Sequence, residues 1–209
     1  MAEIKLTKTE LRLQQNRLAQ LQKYLPTLQL KKAMLQLQVT DARVEIEKLE
    51  AEFKRSQTAL EKYSLLLSDE GGIDFLHAAK VTKIHRRYEN IAGVEVPYFE
   101  SVDFEDFHYP LFDTPPWVDS AIIGLRSAAE VRAQIEVVKE KKAALEKELR
   151  EVSIRVNLFE KILIPRSLKN IKKIKVFLGD QQLAAVSQAK VAKEKIESKK
   201  TAMEQAHAY

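Results

Sequence analysis

Cysteine is absent from the 209 residues. That removes any disulfide framework and any thiolate-held metal, and it suits a reducing compartment. Glycine and proline are scarce, at 5 and 6 residues. A fold of many short strands joined by tight turns is therefore excluded, and long helices are expected. No apolar run is long enough to span a bilayer. The opening MAEIKLTKTELRLQQ is charged throughout and lacks the apolar centre of a signal peptide. A soluble cytoplasmic chain is expected.

The short signatures of catalysis are missing too. His77, His85, His108 and His207 stand in no metal-ligating spacing, and Gly71-Gly72 opens no phosphate-binding loop. Carboxylate pairs such as Glu45 and Glu47 read as a solvated helix face. No nucleophile, base and oxyanion set can be assembled. The expectation is a protein with no catalytic residue, no metal and no cofactor, and not an enzyme.

What is present is charge and a seven-residue period. Residues 1–67 carry a net charge of +4, residues 68–124 of −7 and residues 125–209 of +8. Two basic arms thus flank an acidic middle, an asymmetry that bears on partners rather than on fold.

In the first arm, steps of seven from Leu11 reach Leu18, Leu25, Lys32, Val39, Ile46, Phe53, Leu60 and Leu67. Steps from Gln14 reach Leu21, Leu28, Leu35, Ala42, Leu49, Ser56 and Tyr63. Fourteen of the seventeen positions are apolar. A repeat held for so many heptads predicts a coiled coil, in a helix roughly 85 Å long at about 1.5 Å per residue. Pro26 lies off the seam, and the helix is expected to run on past it. The second arm alternates steps of three and four through Ala128, Val131, Ile135, Val138, Lys142, Leu145, Leu149, Val152, Val156, Phe159 and Leu163. Pro165 then interrupts. The next apolar set, Ile164, Leu168, Ile171, Ile174 and Phe177 or Leu178, joins only with a slip, as expected where an insertion changes the supercoil.

A seam this narrow suits one partner helix rather than a globular core, and the simplest arrangement folds the two arms into an antiparallel hairpin. Between them, KVTKIHRRYENIAGVEVPYF is rich in β-branched residues, with a turn expected over Asn90 to Gly93. FEDFHYPLFDTPPW reads as loop, and Asp119 or Ser120 as the cap of the second arm. The fold class expected is mainly α: a long antiparallel two-helix coiled coil with a small middle head containing a short β-hairpin. Its divisions are 1–67 for the N-terminal helix, 68–118 for the head and 119–209 for the C-terminal helix and basic tail.

The run Arg166, Lys169, Lys172, Lys173 and Lys175 contains no acid. It lacks the aromatic platform of a nucleic-acid module, so contact with an acidic protein surface, or plain solvated charge, is the expectation, and no nucleic acid.

Several blocks match a known family in order along the chain. IRVNLFEKILIP at 154–165 resembles the RRVNALE…IP signature of the D subunit of V-type and archaeal-type rotary ATPases, through Arg155, Val156, Asn157, Glu160 and Pro165. ENIAGVEVP at 89–97 is similar to that family's NxxGVxxP element, through Asn90, Gly93, Val94 and Pro97, and TKTEL at 7–11 resembles its opening PT…EL. The sequence departs from the family pattern at Ile154, where an Arg is usual, and at Ala33 in LQLKKA. The length resembles that of the bacterial and archaeal members. The resemblance implies a non-catalytic central shaft that couples ATP synthesis or hydrolysis to hydrogen-ion or other ion transport. It implies catalytic and regulatory ring subunits, the F subunit of the stalk and a membrane-ring socket subunit as partners. The location would be peripheral to the membrane, without insertion. Lys5, Lys8, Lys193, Lys195, Lys199 and Lys200 are expected to contact the ring, and the acidic head the small stalk partner. The alternatives are a prefoldin-like chaperone, which also sets a hairpin between coiled arms but with shorter ones, and a plain coiled-coil scaffold.

Overall fold

The computed structural model describes residues 4–62, 75–109 and 114–206. Helix α1 spans Lys8–Glu61, a short α2 spans Phe75–Ala78, strands β1 and β2 span Val81–Ile91 and Val94–Phe104, and α3 spans Trp117–Leu158. A π-helical turn, Phe159–Leu163, leads into α4, Ile164–Ala206. The chain is mainly helical, with a long helix on each side of an antiparallel hairpin, as the heptads predict. Leu67, Tyr63, Gly71-Gly72 and the 67/68 division lie outside the described residues, as does His207. α1 passes through Pro26 unbroken. α3 begins at Trp117, two residues earlier than expected, so Asp119 sits in its first turn rather than capping it.

The chain forms two compact units, Gln29–Ile154, and Met1–Leu28 with Arg155–Tyr209. In the first, α1 and α3 run antiparallel. Lys31 pairs with Glu148 at 2.7 Å, Glu45 with Lys141 at 3.3 Å and Glu50 with Lys139 at 2.8 Å; as numbers rise on one helix they fall on the other. Ala42, Ile46 and Val138 form a buried cluster joined by Leu49, and Leu35, Leu145 and Val152 are almost wholly enclosed. The predicted positions are thus inside. α3 also buries Ala133, Val137 and Lys141, which fall outside its two-row seam. The hairpin accounts for this wider arc. Arg86 on β1 pairs with Glu140 at 2.7 Å, and Lys141 Nζ sits 4.1 Å from the centre of the Tyr98 ring on β2. At the base of the head, Ala78, Val118 and Ile122 pack with Phe75, Phe107, Tyr109 and Trp117.

In the second unit Leu21, Val156, Ile171 and Ile174 are buried. Pro165 does not break the helix. The Ile164 N–H bonds to the Phe159 carbonyl, five residues back, and this widened turn absorbs one extra residue where the apolar register slips. The slip differs from the expectation in one respect: Ser167 is buried, and Leu168 is about half exposed. The steps from Phe159 through Leu163, Ser167 and Ile171 are four each, so the inward row passes through a small polar side chain. A hydroxyl can turn to bond its own helix, which makes this position tolerable inside a seam.

The hairpin turn lies between Ile91 and Val94, which pair across it. Ala92 has φ +52° and Gly93 φ +84°, two successive left-handed residues that match the twist of the strands. The Gly93 N–H donates to Asn90 Oδ1 at 2.9 Å. Each strand has 11 residues, longer than the short hairpin expected. Glycine relieves the Cβ strain at 93; alanine at 92 does not. Ala92→Asn should therefore raise stability by about 0.5 kcal/mol, and Gly93→Ala should lower it by about 1–2 kcal/mol. Both should appear as shifts of the urea midpoint at constant slope.

Candidate partner-binding surfaces

The hairpin motif and the coil motif fall in different units. Asn90 and Gly93 build the turn. Val94 closes it opposite Ile91, and Pro97 lies buried on β2 opposite Tyr88. A two-stranded sheet has only edges, so each strand has a side on which a missing N–H costs no ladder bond. Of the coil motif, Val156 faces the seam, whereas Arg155, Asn157, Glu160 and Pro165 are exposed. The signature therefore combines one packing residue with an outward face.

The hairpin is held to the helices by groups that no motif singled out. Arg126 donates to the carbonyls of Ala78 (2.8 Å) and Glu105 (3.3 Å), and its guanidinium lies 5.3 Å from the centre of the Phe104 ring. Lys141 does similar work midway, between Tyr98 and Glu45. At the tip, Lys31 Nζ would meet a Cβ added to Gly93 at 3.8 Å. Sequence could have flagged Lys141 only by its absence from the apolar row. A cation over an aromatic ring gains by desolvation, which explains a buried lysine here.

Glu105, just past β2, accepts from Lys80 at 2.8 Å and pairs with His77 Nε2 at 3.3 Å. The Lys80 hydrogen bond, helped by the nearby His77 charge, holds the Glu105 carboxyl below the usual glutamate value. The same bond and the carboxylate charge raise Lys80. A lowered acid contributes stability above its unfolded pKa and loses it as pH falls through the folded value. A raised lysine contributes below its unfolded pKa and loses it as pH rises through the folded value. The clasp is thus whole near neutrality.

The basic residues divide. Lys5 lines a groove of about 420 Å³ with Glu10, Gln14, Arg17, Arg166 and Asn170. Arg166, Lys169, Lys172 and Lys173 line a larger one of about 750 Å³ beside Pro165. Lys8 is exposed at the start of α1. Lys193, Lys195, Lys199 and Lys200 stand far along α4, where every residue from Asp180 to Lys200 is exposed. Lys193 meets Glu197 one turn on, at 3.7 Å. The structure thus joins Lys5 to Arg166, whereas Lys193 to Lys200 lie on a length of helix exposed all round. No helix among the described residues is long and apolar enough to cross a membrane.

Comparison with known proteins decides the family. The profile of the ATP synthase D subunit matches residues 10–194. The chain belongs to the ATP synthase D-subunit family. The V-type ATP synthase D subunit of Chlamydia abortus is 40% identical over 200 residues, covering 95% of this chain and 96% of that one. The Chlamydia pneumoniae protein of the same name is 41% identical over 199 residues, with 95% of each chain covered. That of Borreliella burgdorferi is 37% identical over 198 residues, 92% of this chain and 95% of the other. For a chain of this family, exposed motif residues and basic grooves are surfaces on which other members of a complex can be sought.

Two outcomes are expected. Lys141→Ala should cost about 1–3 kcal/mol, because it removes a packed stem as well as a charge, and Lys141→Met should recover part of that loss in the same denaturant titration. Amide exchange at Glu105, whose N–H bonds to the Lys80 carbonyl, should lose protection below about pH 4 once corrected for intrinsic rate. Glu105→Gln should show the weaker protection already at neutral pH, and 1 M salt, with a screening length of about 3 Å, should narrow the difference.

Proposed function

We propose that this chain is the central rotor shaft of a V-type ATPase, coupling ATP turnover in a catalytic ring to rotation and to ion transport across the membrane. In this reading the chain itself does no catalysis. It stays peripheral to the membrane on the cytoplasmic side and meets catalytic and regulatory ring subunits, the F subunit of the stalk and a membrane-ring socket subunit. The observation that carries the reading is membership of the D-subunit family over residues 10–194, in a chain whose two long arms run antiparallel in the Gln29–Ile154 unit. Two paired helices resist bending and twisting better than one, as a torque-bearing part requires. Lys5, Lys8, Lys193, Lys195, Lys199 and Lys200 are assigned to the ring, and the acidic head to the small stalk partner.

Because the chain has no cysteine, Lys195→Cys would give it a single thiol. In the assembled ATPase, a disulfide from that thiol to a cysteine placed on a ring subunit should stop ATP hydrolysis on oxidation and restore it on reduction. Undiminished turnover in the cross-linked state would refute the shaft. A second expectation concerns the π turn. Pro165→Ala allows the turn to return to α-helix, which rotates the following side chains by about 100°. ATP-driven ion transport per ATP hydrolysed should then fall by more than the melting temperature of the isolated chain would suggest. Equal losses of coupling and folding would count against it.

A further inference from the structure

Ser167 lies in the unit formed by Met1–Leu28 and Arg155–Tyr209. It is 5% exposed, yet its hydroxyl meets no hydrogen-bond partner among the described residues. A buried polar group without a partner is rare and has a cause, commonly a water or an ion. Among the described residues no side-chain oxygen is sealed in without a partner, and Ser167 lines the groove of about 420 Å³; the hydroxyl opens there. Lys5 and Arg17 line the same groove from the N-terminal side, Arg166 and Asn170 from α4. None of these four holds a hydrogen bond or ion pair among the described residues. Glu10 is the one acid in the lining, and its Oε1 already accepts from Gln14 Nε2 at 2.9 Å. The adjoining groove shares Ile4, Arg166 and Asn170, and adds Lys169, Lys172 and Lys173 but no acid. Cations gathered along a concave surface raise the local concentration of anions.

The lining selects its ligand. Basic side chains outnumber the single carboxylate, which repels a cation. Neither groove carries an aromatic ring on which a base could stack, which disfavours a nucleic-acid strand. A carboxylate presents two oxygens in one plane. A phosphate presents oxygens in several directions, to a hydroxyl on the floor and to guanidinium forks at the rim, where Arg17 and Arg166 are exposed. We propose that the groove between the start of α1 and α4 binds the phosphate group of a small molecule, with Ser167 donating from below and Arg17 and Arg166 flanking it from the two helices. The ligand is free phosphate or the phosphate end of a nucleotide. It ties α1 to α4 at a layer of the seam where both rows are polar, through Gln14 and Ser167. Neither rotation nor a partner protein is needed for it.

The test uses the full chain in phosphate-free buffer at constant ionic strength, with inorganic phosphate as the probe and ATP, ADP and adenosine in separate arms. Phosphate should raise the melting temperature in a saturable way, and chloride or acetate should not. In nitrogen–proton correlation spectra the side-chain Nε–H signals of Arg17 and Arg166 should shift with the same half-saturation. Ser167→Ala should weaken binding about tenfold, the loss of one hydrogen bond to a charged group. The ligand-free variant should melt no lower than the parent, because the hydroxyl holds no bond there. Arg166→Gln should abolish saturation, whereas Lys190→Gln, on the exposed length of α4, should leave it unchanged. Tighter binding of ATP and ADP than of phosphate, with adenosine inert, names a nucleotide as the source. Equal or weaker binding names free phosphate, and either result upholds the site. A melting shift that never saturates, that chloride or acetate matches, or that survives Arg166→Gln is general screening of a basic helix and would overturn it. So would no shift at all, or a shift that Ser167→Ala leaves untouched.

Discussion

The structure depends on one row of apolar side chains being covered along a helix too narrow to cover itself. A helix with a two-position seam exposes nearly all its backbone flank, so each buried Leu or Val matters, at roughly 1.5–3 kcal/mol against its ordering cost. Leu35, Val39, Ala42 and Ile46 on α1 meet a complementary row on α3. Small residues such as Ala42 and Ala128, both buried, fill the rows without adding bulk. Three ion pairs between the helices then act on orientation. Lys31 with Glu148 and Lys139 with Glu50 are partly exposed and stabilise little singly. They still match only when the arms run in opposite directions, so they select the antiparallel pairing that the apolar rows alone leave open.

The hairpin changes what α3 has to be. One neighbour would need one buried stripe, as on α1, but α3 has two neighbours over the length where it buries Val137 and Lys141 as well as Val138. Lys141 bridges both, with Glu45 of α1 on one side and the Tyr98 ring of β2 on the other. A buried lysine is costly unless its charge is answered, and here an anion and an aromatic face answer it together. Arg126 plays the corresponding part at the base, tying α2 and the end of β2 to α3 through two carbonyls.

These contacts also explain which features could be read from residues alone. The heptads are strictly local signals, repeated often enough that single exceptions such as Lys32 do not hide them, and so both long helices and their buried rows were legible. The Asn90 to Gly93 turn was legible because left-handed backbone demands particular residues. The wide buried arc of α3 was not, since Lys141 is polar and its ring partner, Tyr98, is distant in sequence. Nor was Ser167, because an apolar criterion selects Leu168 one residue later.

The π turn shows how a one-row seam can change register without losing the helix. A proline within a helix removes a donor and presses its ring on the carbonyl four residues back. A turn closed by an i to i−5 bond is wider, and it inserts the single residue by which the inward row must advance. Glu160, Lys161 and Ile162 are exposed, so carbonyls released by the change of pattern can be solvated. Pro165 therefore does not oppose the helix it interrupts. It disfavours an unbroken α-helical register at the place where the apolar row shifts, and from Phe159 to Ile171 that shift carries the row through a buried serine rather than a leucine.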